Sequence, residues 1–150
     1  MYSKEEAKAI RVSFWDQFRD YTNNRRKNKG RTGKWILNRT GINAINLKFF
    51  FDHDTALVGI DVETRNLETR LAYYEKLESL RSQINGALGE KTQWELEYTR
   101  ENEKSVSRVY TAIDNVSIFD RTTWNRVNMF FFDRMTALED VFLEYKDYLK

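Results

Sequence analysis

The sequence predicts an α+β domain: an antiparallel sheet of four to five strands and three helices in the order α-β-β-α-β-β-α, with the helices mainly on one face. Two stretches of period-two alternation, each folded about a polar turn, supply the strands. Three stretches with apolar residues at three- and four-residue spacing supply the helices. The turns within each strand pair are too short for a parallel crossover, so both pairs are antiparallel. With 150 residues and no linker-like segment, the chain is expected to be a single domain spanning 1–150.

Ser3 followed by Glu6 forms a capping-box signature for the first helix. Ala7, Ile10, Phe14, Phe18 and Tyr21 then line one face to about Asn24, with Trp15 widening the stripe. From Asn23 to Gly33 the chain is polar, basic and aperiodic, which reads as a loop. The first hairpin spans Ile42 to Glu63. Ile45, Leu47, Phe49 and Phe51 alternate on one strand and Val58, Ile60 and Val62 on the other, about the turn Asp52-His53-Asp54-Thr55. Because successive strand residues face opposite ways, Asp61 and Glu63 project together from the polar side.

A second helix is expected from about Asn66 to Leu88, carrying Leu67, Leu71, Tyr74, Leu77 and Ile84, with Thr64 or Asn66 as its cap and Gly89 at its end. Trp94, Leu96 and Tyr98 alternate with Glu95 and Glu97 on the third strand. The turn Arg100-Glu101-Asn102-Glu103 leads to a fourth strand around Val106 to Ile113, with Val109, Thr111 and Ile113 on one face and Arg108 and Tyr110 on the other. Asp120 is the expected N-cap of a last helix through Trp124, Val127, Phe131, Met135, Leu138 and Tyr145, and no proline interrupts it. Helices on one face leave the other wet, and that wet face is expected to carry Asp61, Glu63, Glu95 and Glu97.

Composition narrows the function classes. At 41% hydrophobic and 15% aromatic residues, the chain has apolar surface enough to offset the entropy of ordering. No apolar run approaches the roughly 20 residues that span a bilayer, so a membrane is not expected as a partner. The charged start Met1-Tyr2-Ser3-Lys4-Glu5-Glu6 has no secretory apolar stretch, which makes the cytoplasm the expected compartment. Without cysteine there is no disulfide, thiolate nucleophile or zinc–cysteine site. The net charge of +2 is unevenly placed: Arg25, Arg26, Lys27, Lys29, Arg31 and Lys34 follow one another with no acid between them.

Phe14-Trp15, Thr40-Gly41-Ile42, Ile60-Asp61-Val62-Glu63, Ser107-Arg108-Val109-Tyr110 and Trp124 in the last helix together resemble a bacterial family of domains of unknown function, the one numbered forty-two sixty-eight. The resemblance covers essentially the whole chain. It implies a cytoplasmic bacterial domain found alone or as the C-terminal part of nuclease-like proteins. Its landmarks are mostly core positions, and it implies no activity.

Two groups of residues carry the candidate chemistry. Asp61 and Glu63, with Asp52 or Asp54 upstream, echo the paired acids of restriction-endonuclease-like nucleases, which hold a divalent ion beside a lysine. Here Glu63 stands where that lysine belongs. Glu95 and Glu97 complete a candidate metal cluster with Asp61 and Glu63 if the strands bring all four together. Cross-strand partners such as Lys48 and Arg108 are the simpler way to neutralise them. The second group is Arg25, Arg26, Lys27, Lys29, Arg31 and Lys34 with Trp35, a set suited to phosphates and a stacked base. Gly30 to Lys34 fails as a phosphate loop, because the glycine spacing is wrong and Trp35 replaces Ser or Thr.

His53, between two aspartates, reads as turn chemistry, and as the lone histidine it cannot build a relay. Phe130-Phe131-Phe132 exceeds what one helix face buries; core packing is the first explanation, since ten Phe in a small domain must mostly lie inside, and one ring directed at a partner chain is the alternative. The favoured expectation is a non-enzymatic interaction module that contacts a nucleic acid or a protein through the basic loop or the open sheet face, with a homodimer as a further arrangement. A degenerate metal-dependent nuclease and a purely structural assembly domain are the competing readings. No cofactor is expected.

Overall fold

The computed structural model describes residues 1–31 and 34–150; Gly33, at the end of the expected loop, lies outside them. Four strands form one antiparallel sheet: β1 (Ile45–Phe51), β2 (Thr55–Val62), β3 (Gln93–Thr99) and β4 (Ser105–Asp114), in the order β1-β2-β4-β3. Both hairpins form, the first in the register its alternation predicts, with Ile45 opposite Val62. The hairpins meet where β2 pairs with β4, which sets Asp61 directly opposite Arg108. β1 and β3 are left as the edges.

The first helix, α1 (Lys4–Asn28), opens on the capping box of Ser3 and Glu6. It runs beyond the expected end near Asn24, because Arg25, Arg26 and Lys27 in its last turn complement the carbonyl end of the helix dipole. The single second helix expected from Asn66 to Leu88 is instead two, α2 (Leu67–Ser79) and α3 (Arg81–Leu88), so the fold has four α-helices where three were predicted. At the break the Ser79 hydroxyl bonds the Lys76 carbonyl, competing with the helical ladder, and Leu80 adopts φ −104°, ψ 20°. Leu77, Leu80, Ile84 and Leu88 are buried across that break, while Leu67 and Leu71 stay exposed. A 3-10 turn at Arg121–Thr123, capped by Asp120, leads into α4 (Trp124–Leu149).

The main core lies between the sheet and α4, with α1 closing one side. Phe131 sits at its centre against Phe14, Phe18, Phe49 and Phe51. Aromatic pairs at such separations add directional contacts to the burial itself. Gln17 of α1 and the buried Asn128 of α4 exchange amide hydrogen bonds at 2.9 and 2.8 Å, so the polar pair beneath α1 is satisfied. Phe131 and Phe132 are buried and Phe130 is half-buried, which places the three-ring run within the chain's own core.

The middle of the opposite sheet face is not the wet surface expected, while Glu63 and Glu95 toward its margins stay partly exposed. Asp61 is 0% exposed and Leu57 3%. Part of that cover, over Arg108, comes from a bulge in β3: Glu95 pairs with Arg108 but Tyr98 pairs with Val106, so two residues of β3 face one of β4. That extra residue moves Tyr98 off the face it would share with Trp94. Its ring instead covers Arg108 at 4.1 Å and meets Tyr110 at 5.5 Å. Gly59 permits this closure: a Cβ there would lie 2.6 Å from the Tyr110 Cβ and 2.5 Å from the Val109 carbonyl.

Candidate nucleic-acid interface

The four acids of the expected cluster separate. Asp61 accepts from Arg108 Nε at 2.6 Å and Arg108 Nη2 at 2.9 Å, and from Arg100 Nη2 at 2.8 Å. Glu63, on the same strand, is paired with Arg100 Nη1 and Lys104 Nζ, both at 2.7 Å. Glu95 accepts from the Tyr110 hydroxyl, and Glu97 from Arg70 of α2 and Ser105. By simple alternation Glu95 and Glu97 share a face; the bulge between them sends Glu95 to the Tyr110 side and Glu97 to α2. Asp61 and Glu63 meet through Arg100, whose guanidinium is occupied on three nitrogens. Arg108 is the cross-strand partner expected. Lys48 is not one; the other cations are Arg100, Lys104 and Arg70, from the β3–β4 turn and α2.

Burial alone would lower the basicity of Arg108, but the hydrogen bonds and charge of Asp61 outweigh it and hold the guanidinium protonated above its ordinary range. The Lys104 hydrogen bond, with Arg100 beside it, lowers the Glu63 carboxyl below the usual carboxylate value. Burial, then the bond to Glu95, pushes the Tyr110 hydroxyl up. In this arrangement the acids serve arginines, and a cation would have to displace guanidinium groups to reach Asp61.

His53 lies in the exposed hairpin turn, where Asp52 Oδ1 accepts from the amides of Asp54 and Thr55. The ligand atoms of Asp52, His53 and Asp54 lie within 4.8 Å of one another, but the turn geometry accounts for Asp52 without an ion.

The basic segment divides in two. Arg26 donates to Glu139 of α4 at 3.1 Å and its guanidinium covers the Trp35 ring at 4.0 Å. Arg31 pairs with the same Glu139 and with Asp140. These two arginines therefore fasten the segment to α4. Arg25 lies over the Tyr21 ring at 3.7 Å and donates to the Tyr21 carbonyl, yet it stays exposed, as do Lys27, Lys29 and Lys34.

Beside that segment lies a cleft of about 970 Å³, bounded by α1, residues 34–39, the β1 edge and the β3–β4 turn. Its cationic lining is Arg19, Arg26, Lys34, Arg39, Lys48 and Arg100, and no acidic side chain among the described residues lines it. Trp15, Phe18, Trp35 and Phe49 supply aromatic wall. Arg19 faces Asp16 only across an exposed 3.5 Å pair. Lys34, Arg39 and Lys48 form no ion pair among the described residues. Of the seven residues expected to bind nucleic acid, the cleft takes Arg26, Lys34 and Trp35.

Arg19, Arg39, Lys48 and Arg100, with the aromatic Trp15, Phe18 and Phe49, are cleft residues that sequence reasoning did not assign to a nucleic-acid site. Their cations are scattered over α1, the loop, β1 and the β3–β4 turn, so no run of charge marks them. Their only signal was Lys48 standing at the one charged position of an otherwise neutral strand. The loop that carries Arg39 is fixed by two backbone contacts: Leu47 N–H donates to the Leu37 carbonyl at 3.0 Å, and Ile36 N–H donates to Glu139 at 2.9 Å. Leu37 accepts a left-handed φ of 35° there, a conformation unfavourable to a side chain.

Among known proteins, one family model, described as "Domain of unknown function (DUF4268)", matches residues 10–146. No curated protein and no solved structure matches the chain significantly.

Proposed function

The chain belongs to the DUF4268 family, whose description carries no activity, and from that premise we propose that it is a non-enzymatic module that binds nucleic acid through the cleft beside α1. The observation that carries this reading is the one-sided charge of the cleft: Lys34, Arg39 and Lys48, which form no ion pair among the described residues, stand around an aromatic wall that no acidic side chain among the described residues lines, in a chain whose net charge is only +2. Such a concentration is not needed for solubility, and it raises the local concentration of polyanions. Lys27 and Lys29 stand exposed in the segment whose Arg26 lines the cleft, adding positive charge that a polymer of phosphates can use. The engagement of Asp61 and Glu63 by arginines supports binding over metal-assisted cleavage.

Fluorescence anisotropy with a labelled oligonucleotide, titrated at several salt concentrations, tests this. Binding should weaken steeply with salt. The combined Lys34→Ala, Arg39→Ala and Lys48→Ala variant should lower the slope of log affinity against log salt by about one for each phosphate that is no longer neutralised. Salt-insensitive binding, or none, overturns the proposal.

A further inference from the structure

We infer that the cleft accepts unstacked bases of a single strand and discriminates against duplex. This rests on the nucleic-acid reading above and deepens it. The positive charge lines a concavity, whereas proteins that read duplex present a projecting helix, ribbon or arm to a groove. A duplex reaching this cleft would lay phosphates on its rim and leave the aromatic wall untouched, because paired bases show only their edges. A single strand can turn a base inward. The cleft, of about 970 Å³ and open on one side, has room for one or two bases but not for a whole duplex.

The wall has the parts that such a base requires. Trp15 lies nearly parallel to Phe131, 5.8 Å between centroids and 8° between planes, and is half-buried where it borders the cleft. Phe49, packed on its inner side by Phe131 at 4.7 Å and Phe18 at 5.2 Å, borders the cleft with the remainder of its ring, 5.7 Å from Trp35. Stacking on such rings tolerates any base, because every base has a π-face. Polar groups for base edges stand beside them: Asn23, Asn38 and Asn46 each offer an amide donor and acceptor. β1 adds its backbone. Glu63 N–H donates to the Ala44 carbonyl, and Leu47 N–H donates outward to Leu37, so the even-numbered residues of β1 bond to β2 and the odd-numbered ones face the open edge. Phe49 is odd-numbered, and its N–H and C=O therefore point away from β2 on the edge that borders the cleft. Lys34, Arg39 and Lys48 stand around this wall where flanking phosphates would pass.

The test compares four ligands under one salt condition by anisotropy and tryptophan fluorescence: a labelled thymidine strand, a hairpin duplex of equal charge, an abasic strand of equal length, and thymidine monophosphate. The single strand should bind at least about tenfold more tightly than the duplex or the abasic strand, and it alone should quench tryptophan emission. Trp15→Leu should reduce the preference for the base-containing strand while leaving the salt slope in place. Should that variant fail to fold by circular dichroism, the abasic comparison on the wild-type chain decides. Equal affinity for strand, duplex and abasic strand with a normal salt slope overturns base insertion and leaves nucleic-acid binding standing. Monophosphate binding as tight as the strand overturns the single-strand occupant in favour of a free nucleotide. No salt-sensitive binding to any of the four overturns both readings.

Discussion

Asp61 and Glu63 stand two residues apart on one strand, yet the fold uses them differently. Asp61 is fully enclosed, and its partner Arg108 is 1% exposed, so each neutralises a charge that water cannot reach. Replacing one member of such a pair leaves the other buried without a counter-ion, whereas an exposed pair is worth little. Asp61→Asn is therefore expected to lower unfolding stability by about 3–5 kcal/mol in a denaturant titration. Glu63→Gln should cost under about 1 kcal/mol at neutral pH, and a loss as large as that of Asp61→Asn would show that Arg100 depends on both acids. The Glu63 carboxyl is lowered from 4.5, chiefly by Lys104, so it binds its proton less readily when folded than when unfolded. Its contribution is present above that unfolded value and is lost as pH falls through the folded one. Wild type and Glu63→Gln should accordingly converge in stability as the solution is acidified below pH 4.5.

At the scale of elements, both hairpins and the first and last helices were legible in the sequence, because period-two and period-3.6 patterns report which residues face the core. The bulge in β3 was not. Trp94, Leu96 and Tyr98 alternate perfectly, and nothing local says that one residue will be left over against β4. Its consequences are large: Tyr98 changes face, Arg108 is covered and Glu95 parts from Glu97. The break at Leu80 was equally hidden, since the apolar stripe continues through it. Gly59 is the residue in which the closed outer face is most open to test. A methyl group there meets β4 backbone at 2.5 Å and the Tyr110 Cβ at 2.6 Å, and neither is the far end of a flexible side chain. Gly59→Ala should cost about 1–3 kcal/mol by overpacking, read as a lower denaturant midpoint. Gly86→Ala, at an exposed position of α3 with nothing within 4 Å, should instead hold or gain stability, because alanine is the better helix former. If the two substitutions behaved alike, steric closure at Gly59 would not explain the dry face.

On the scale of the whole molecule, the cleft exists because distant segments share one acid. Between Arg25 and Lys34 the sequence shows no carboxylate, so the segment reads as uniformly free charge. Its counter-ions come from α4, with Glu139 113 residues beyond Arg26. No local window can show such a pairing, which is why the binding half of the segment could not be told from its fastening half before folding. Glu139 is 1% exposed and holds Arg26 from α1, Arg31 beyond it, and the Ile36 amide at the start of the loop that carries Arg39. One carboxylate thus joins α4, the end of α1 and the outer wall of the cleft. Glu139→Gln removes its charge at nearly constant shape and leaves the buried Arg26 facing a neutral amide. The expected loss is about 3 kcal/mol in denaturant titration, with an unchanged m-value if the native state stays equally compact. Arg31→Ala, which removes a more exposed partner of the same acid, should cost under about 1 kcal/mol. Oligonucleotide affinity should fall more for Glu139→Gln than for Arg31→Ala, although the first variant gains positive charge relative to the second. Ranking by net charge instead would mean that attraction alone governs binding and that the shape Glu139 gives the cleft does not.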